Sequence, residues 1–341
     1  MLKAGLIGVG AMGRGHLDNY IRFNQEGDLI ELVALCDIDP KRFTNYKNEL
    51  NLNVGKAEYS FEDFHCYTDV DEMLEKEELD MVTIALPTYL HCDVSIKCLS
   101  HGIHVLCEKP MALNIKQCQK MIDAAKINDK KLMIGQCLHF WGEYEELKKI
   151  AQSGNYGKPL GAYFFRGGST PMWSYENWLL DRTKGGGALF DQHIHDIDTI
   201  NYVLGMPKAV STLGTRHFET SGYDIVSTNY IFEYPIAVNA QDDWCLAGDG
   251  FFMRYRVNFE KCTAYFDFGK EFKVIDRDGN DITPPVDPEN AYYKETKYFA
   301  EAIQSLTNLD RNTPESAMNT IKIALAETTS ANQGGKIVAV E

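Results

Sequence analysis

The sequence predicts an α/β protein: an N-terminal Rossmann-type, doubly wound parallel sheet, followed by an α+β domain with a large open, mainly antiparallel sheet. Three observations carry this. Between residues 2 and about 140, short β-rich runs alternate with longer amphipathic ones, the rhythm of strands joined by crossover helices. From 208 to 276 the chain is instead rich in β runs of alternating character, such as STLGTRHF, DIVSTNYIF and CTAYFDF, which suit a sheet with one wet face. Finally, 341 residues exceed what one hydrophobic core usually serves, since single cores stop growing near ~250–300 residues. Two domains are expected, 1–125 and 126–341, with no repeat or low-complexity linker to mark the border.

In order, the expected elements are strand KAGLIGV, helix 11–24, strand ELVALCD, helix 40–51, strand DMVTIALP, helix 88–100, strand GIHVLCEK, helix 112–129 and strand KLMIGQC. Asn114 is the N-cap of the helix whose one face carries Ile115, Cys118, Met121, Ile122 and Ala125. Beyond come a helix over 142–153, a strand near 159–166, a Gly/Trp-rich loop and a helix over 188–204 ended by Gly205 and Pro207. Two C-terminal helices are expected over 291–306 and 314–332, the second opened by Pro314.

A net charge of −15 opposes condensation on nucleic acid or anionic lipid, which requires an excess of Lys and Arg. Nine cysteines include no C-x-x-C pair and lie largely in apolar runs, the usage of reduced core thiols in a cytoplasmic protein. No run of about 18 apolar residues occurs, and the apolar start breaks into glycines instead of a cleavage site, so neither membrane span nor export is expected.

The sequence Gly8-Val9-Gly10-Ala11-Met12-Gly13 follows the first strand and opens a helix. Such a loop supplies a tight turn, close backbone approach to a pyrophosphate and close helix–strand packing, with phosphates at the helix N-terminus. The second strand ends at Asp37, where a carboxylate accepts from ribose hydroxyls and repels a 2′-phosphate; NAD is favoured over NADP, although Lys41 and Arg42 follow closely.

Glu108-Lys109-Pro110 ends the strand GIHVLC, placing Lys109 at the carboxyl edge of the sheet, where it can donate to a substrate oxygen as hydride moves. In GGGALFDQHIHDID, at ~100° per residue, Asp191 and His195 stand one turn and ~40° apart on one helical face. Oxidising an alcohol needs a base for the O–H proton, and imidazole titrates near neutrality, so His195 is the expected base. Asp191, an anion favoured by the helix N-terminus, is the expected acceptor that positions substrate or imidazole.

Taken together, GLIGVGAMGRGHL, ALPTYLHCDVSIKCLSHGIHVLCEKPMAL and GGGALFDQHIHDIDTINYVLG closely resemble the Gfo/Idh/MocA oxidoreductases, over residues 1 to about 205. The resemblance implies a Rossmann domain binding NAD through the glycine loop, Asp37 and Glu108, and a homodimer or homotetramer built through the open sheet. It also implies Lys109, Asp191 and His195 as a catalytic trio, with Pro87, Thr88 and His91 in a loop beside the cofactor. His193 is a departure, since many relatives have glycine two residues after the aspartate; it either shapes the substrate pocket or packs against the domain.

Trp173, Tyr175 and Trp178 lie just ahead of the catalytic helix, with Arg166 at the preceding strand end. Aromatic faces and a fork of donors suit a sugar or cyclitol ring, and equally suit lid packing. A metal hydrolase reading of Asp191-x-His193-x-His195-Asp196 fails on period: on a helix the two histidines project ~200° apart, so no metal is expected. Two further alternatives are an NAD-binding sensor without turnover and a redox-assisted glycosidase with tightly held NAD.

Overall fold

The computed structural model describes residues 1–44, 59–248 and 250–341. The chain divides into two compact units, one of residues 1–137 and 290–317, the other of 138–289 and 318–341. A single cut at 125 therefore misses both the later border and the return of a C-terminal segment to the first unit.

In the first unit, β1 (Leu2–Ile7), α1 (Ala11–Glu26), β2 (Ile30–Cys36), β3 (His65–Tyr67), α2 (Val70–Lys76), β4 (Met81–Ile84), α3 (Thr88–Ser100), β5 (His104–Glu108), α4 (Ile115–Ile127) and β6 (Leu132–Gly135) alternate as expected, except that β3 and α2 carry too weak a pattern to be foreseen. All neighbouring strands pair in parallel, in the order β3-β2-β1-β4-β5-β6. The order turns back between β1 and β4, the switch point at which open α/β sheets bind ligands beyond their carboxyl ends. The helix expected over 40–51 is described only as far as Thr44, where Pro40–Phe43 form a 3-10 turn capped by Asp39; 45–58 lie outside the described residues. Leu6, Leu17, Tyr20, Phe23, Ile30 and Leu35 centre the core.

In the second unit, α5 (Gly142–Ser153) and β7 (Pro159–Gly168) are followed by α6 (Ala188–Asp191) and α7 (Ile194–Leu204), then β8 (Ala209–Thr215), β9 (Ile225–Ile231), β10 (Ala237–Asp243), β11 (Phe251–Phe259), β12 (Cys262–Asp267) and β13 (Glu271–Asp276). The single helix expected over 188–204 is thus two. With β14 (Val338–Ala339) these strands form an eight-stranded sheet, β13-β12-β11-β7-β10-β9-β8-β14. It is antiparallel except for β7 and β10, which pair in parallel with Arg166 opposite Asp242. Burial alternates along β9 to β12, so Val226, Thr228, Val238, Ala240, Tyr255, Val257 and Ala264 face the core, and Gln241, Arg254 and Tyr265 the other side.

Between β13 and β14 come α8 (Ala291–Gln304), in the first unit, and α9 (Pro314–Asn332), which belongs to the second unit from Met318 on. Phe299 and Tyr293 of α8 are buried in the first core, the Tyr293 ring stacked on Phe23 at 4.4 Å.

Candidate active site and cofactor cradle

The glycine loop owes its shape to close approach. Gly8 has φ +93°, and a Cβ there would stand 2.5 Å from the Ala85 carbonyl; a Cβ on Gly13 would stand 1.9 Å from the Gly8 carbonyl. Gly10 differs: it has ordinary φ, and nothing lies within 4 Å of the place a Cβ would take. It is also the N-cap of α1, without a side-chain cap and with no acidic residue in the first turn. That open space at the start of a helix fits a pyrophosphate. The described residues therefore suit a dinucleotide.

Asp37, one residue past β2, accepts the Val9 N–H through Oδ2 at 2.8 Å and the Asp39 N–H through Oδ1 at 3.0 Å. It thereby fixes the glycine loop and the turn that follows β2. Arg14, buried in α1, sends Nη2 to the carbonyls of Arg42 (2.7 Å) and Thr44 (2.6 Å), and its guanidinium lies 5.3 Å from the centre of the Tyr59 ring. Arg14 was not foreseen; a cation in the first turn of a helix, where the dipole disfavours it, was the available signal.

At the far side of the switch point, Pro87 caps α3 and Thr88 is buried in its first turn. His91 is buried, with Nδ1 2.9 Å from the Pro110 carbonyl and Nε2 2.8 Å from the Leu86 carbonyl. Burial lowers its pKa, against the pull of the two carbonyls. His91 thus ties two loops together through its ring nitrogens. Lys109, half-buried, follows β5 and precedes a cis-proline. Its backbone N–H is held by Glu108 Oε2 at 3.1 Å, while Glu108 Oε1 lies 2.7 Å from His16 Nε2.

The second unit carries Asp191 and His195, both half-buried, on either side of the break between α6 and α7. Gln192 N–H bonds the Ala188 carbonyl four residues back, but His193 N–H reaches five residues back to the same oxygen at 2.8 Å; the next helix restarts with His195 bonded to Gln192 and Asp196 to His193. This is a wide, π-type turn. The loose bond at His193 is followed by two tight ones that reach only three residues back, at His195 and Asp196, so Asp191 and His195 stay about one turn apart across the break. The two remain on neighbouring parts of one face.

His193 itself is fully buried and packs against the domain: Nε2 lies 3.2 Å from Glu327 Oε2 and 3.3 Å from the Tyr230 hydroxyl. Arg166, expected to face a sugar, is 3% exposed and closed on Asp196, with Nη2–Oδ1 2.9 Å and Nε–Oδ2 3.4 Å. Burial works against its charge, but the neighbouring Asp196 outweighs this and raises its pKa. Asp242 is buried with both carboxyl oxygens lacking a hydrogen bond among the described residues; burial first, then Asp196, pushes its pKa well above the ordinary carboxylate range. Its signal was in the sequence: along β10 it occupies a core-facing position after Val238 and Ala240. His193, Asp196 and His195 go to different partners or faces, and among the described residues no group of three or more His, Cys, Asp or Glu is disposed to hold a metal.

Trp173 is 39% and Tyr175 49% exposed, whereas Trp178 packs against the small core of Leu179, Leu180, Ala188 and Trp244. The aromatic loop is therefore part exposed and part packing.

Both units match sequence models of one family: residues 2–136 the "Oxidoreductase family, NAD-binding Rossmann fold" and residues 144–264 the "GFO/IDH/MocA C-terminal domain". The chain belongs to the Gfo/Idh/MocA oxidoreductase family. It is 30% identical over 205 residues to a myo-inositol 2-dehydrogenase of Thermotoga maritima, covering 60% of this chain and 55% of that protein. It is 29% identical over 210 residues to a 2,7-anhydro-N-acetylneuraminate hydratase of Mediterraneibacter gnavus, covering 61% and 52%. The chain thus spans about half the length of the curated relatives it matches. Its fold is similar to that of levoglucosan dehydrogenase solved with NADH and L-sorbose, with TM-score 0.84, 18% identity and coverage of 100% and 99%. The first unit is accordingly an NAD-binding Rossmann domain, and no helix is long and apolar enough to cross a membrane among the described residues.

Proposed function

We propose that this family member is an NAD-dependent dehydrogenase acting on a secondary alcohol, or the corresponding ketone, of a sugar or cyclitol. The observation that carries the reading is the pairing of Asp191 and His195 across one turn in the second unit, in a chain whose NAD-binding unit presents Lys109 just past β5. In this reading the His195 imidazole takes the alcohol proton, Asp191 accepts from a neighbouring hydroxyl or from the imidazole, and the Lys109 ammonium donates to the reacting oxygen. NAD, held at the glycine loop and Asp37, would supply the hydride acceptor or donor. Trp173 and Tyr175 offer apolar faces to the ring, and Trp178, His193 and Arg166 act from behind the site.

The same reading makes the protein a cytoplasmic homodimer or homotetramer joined through the open face of the second sheet. That face carries Phe165, Phe252 and Arg254, whose guanidinium lies 5.6 Å from each ring centre, the mixed aromatic and Arg character of an association surface.

A screen of aldoses, inositols and their keto forms tests the function. At least one should change nicotinamide absorbance, and His195→Ala and Lys109→Ala should each lower turnover by ~10²–10⁴-fold while NAD affinity stays near the parental value. A substrate turned over at the parental rate by His195→Ala across pH 6–9 would remove His195 from the role of base. The similarity to a hydratase favours a second reading, in which NAD is held and water is added or a glycosidic bond broken with no net change in the cofactor. Product formation without a lasting absorbance change would select it.

A further inference from the structure

His193 sits between the two groups assigned to the chemistry, yet it faces away from solvent entirely. Its ring nitrogen Nε2 meets two side chains from separate elements, Glu327 of α9 and Tyr230 of β9. Glu327 Oε2 also accepts from the Thr228 hydroxyl at 3.1 Å, and Thr228 in turn bonds the Thr212 hydroxyl at 3.0 Å. These residues form one buried polar chain from α9 across β9 to β8, and His193 is its end on the catalytic segment. The backbone at that end is the wide turn, in which the Ala188 carbonyl receives the N–H groups of both Gln192 and His193.

An unbroken α-helix over 188–204 would bring its own regular ladder of bonds, so the break in that ladder needs something that favours it. Rewinding this segment into a regular helix would move residue 193 relative to α9 and β9, drawing the imidazole off Glu327 and leaving a buried acid without that partner.

We propose that His193, anchored on Glu327 and Tyr230, is a positioning residue that holds this wide turn and so sets the rotation of His195 relative to Asp191. The inference rests on the assignment of Asp191 and His195 to catalysis. The bulge is the register device, and the buried chain of Glu327, Thr228 and Thr212 is what it is registered against. A general base displaced by about 1 Å loses rate on the order of 10²-fold without losing its chemistry.

The test compares His193→Gly, His193→Gln and Glu327→Gln with the parent on whichever substrate the screen yields. His193→Gly should lower kcat by ~10–10²-fold with little change in the KM for NAD, and raise the primary deuterium isotope effect on kcat as hydride transfer becomes limiting. His193→Gln, which keeps a donor of similar reach, should recover part of the loss, and Glu327→Gln should fall between the two. A crystal structure of His193→Gly should show residues 188–204 closer to one regular helix with the residue-193 amide no longer bonded to Ala188. A folded His193→Gly protein with parental kcat and isotope effect, or one whose wide turn is unchanged, overturns the proposal. Should His193→Gly not fold, Glu327→Gln and Tyr230→Phe carry the same comparison. Parental turnover in His195→Ala would instead sink the assignment of the base; a crippled His195→Ala beside an unaffected His193→Gly would sink only the positioning role.

Discussion

His16 Nε2 lies 2.7 Å from Glu108 Oε1, and both side chains are almost completely buried. The contact joins the helix opened by the glycine loop to the residue that holds the Lys109 backbone, so the two ends of the cofactor edge share one hydrogen-bonded link.

Burial alone would raise the Glu108 pKa, but the bond from His16, its charge and that of Lys109 outweigh burial and hold it below the ordinary range. A carboxylate with a depressed folded pKa stabilises the fold above its unfolded pKa of about 4.3, and that contribution is lost as pH falls through the folded value. Glu108→Gln should therefore be less stable than the parent by ~1.5–3 kcal/mol at pH 7, with the gap closing below about pH 4. Thermal melts between pH 3 and 8 read this directly; a gap independent of pH would mean that the charge of Glu108 does not matter.

Gly10→Ala and Gly13→Ala should part company. A Cβ at Gly13 collides with the Gly8 carbonyl and should unfold or strongly destabilise the first unit, whereas a Cβ at Gly10 enters empty space at an ordinary φ. Gly10→Ala should thus keep the parental melting temperature within a few degrees and lose NAD affinity by more than tenfold, because the methyl fills the cradle. Calorimetry with NAD alongside the melts checks both halves.

Asp37→Ala should lose NAD affinity and the preference for NAD over NADP together, since the same carboxylate that would face the ribose also holds the Val9 N–H. Asp37→Asn keeps an acceptor for Val9 and should retain more affinity while tolerating a 2′-phosphate better. An unchanged NAD to NADP ratio in both variants would take Asp37 out of cofactor selection.

Arg166→Ala should lower stability by ~3–5 kcal/mol, because it strips the buried Asp196 of its ion-pair partner beside a second buried acid, Asp242. Denaturant midpoints measure it. Parental stability with a raised substrate KM would mean instead that the guanidinium serves the substrate, as its place at the end of β7 first suggests.

The alternation of strands and helices was legible because each crossover unit writes its own local period, and the glycine loop, Asp37 and Lys109 fall at the ends of those units. The wide turn at His193 was not, since one amide reaching five residues back leaves no mark on a hydrophobic pattern that continues through Ile194 and Ile197. The fate of Arg166 depended on a partner 30 residues away, and the parallel pairing of β7 with β10 on strands far apart in sequence. Amphipathy likewise announced α8 without saying which core its Phe299 would enter.

That interleaving of the chain bears on how it is made. A ribosome delivers the six Rossmann strands long before residues 290–317, so for most of synthesis the first core waits without Tyr293 and Phe299. Phe23, and with it one side of α1, is covered only after the whole intervening eight-stranded sheet has been synthesised, apart from its last short strand. The nascent Rossmann sheet therefore meets the cell with a greasy seam open, a state in which chaperones would find a handle and NAD, by binding the exposed glycine loop early, would act as a scaffold.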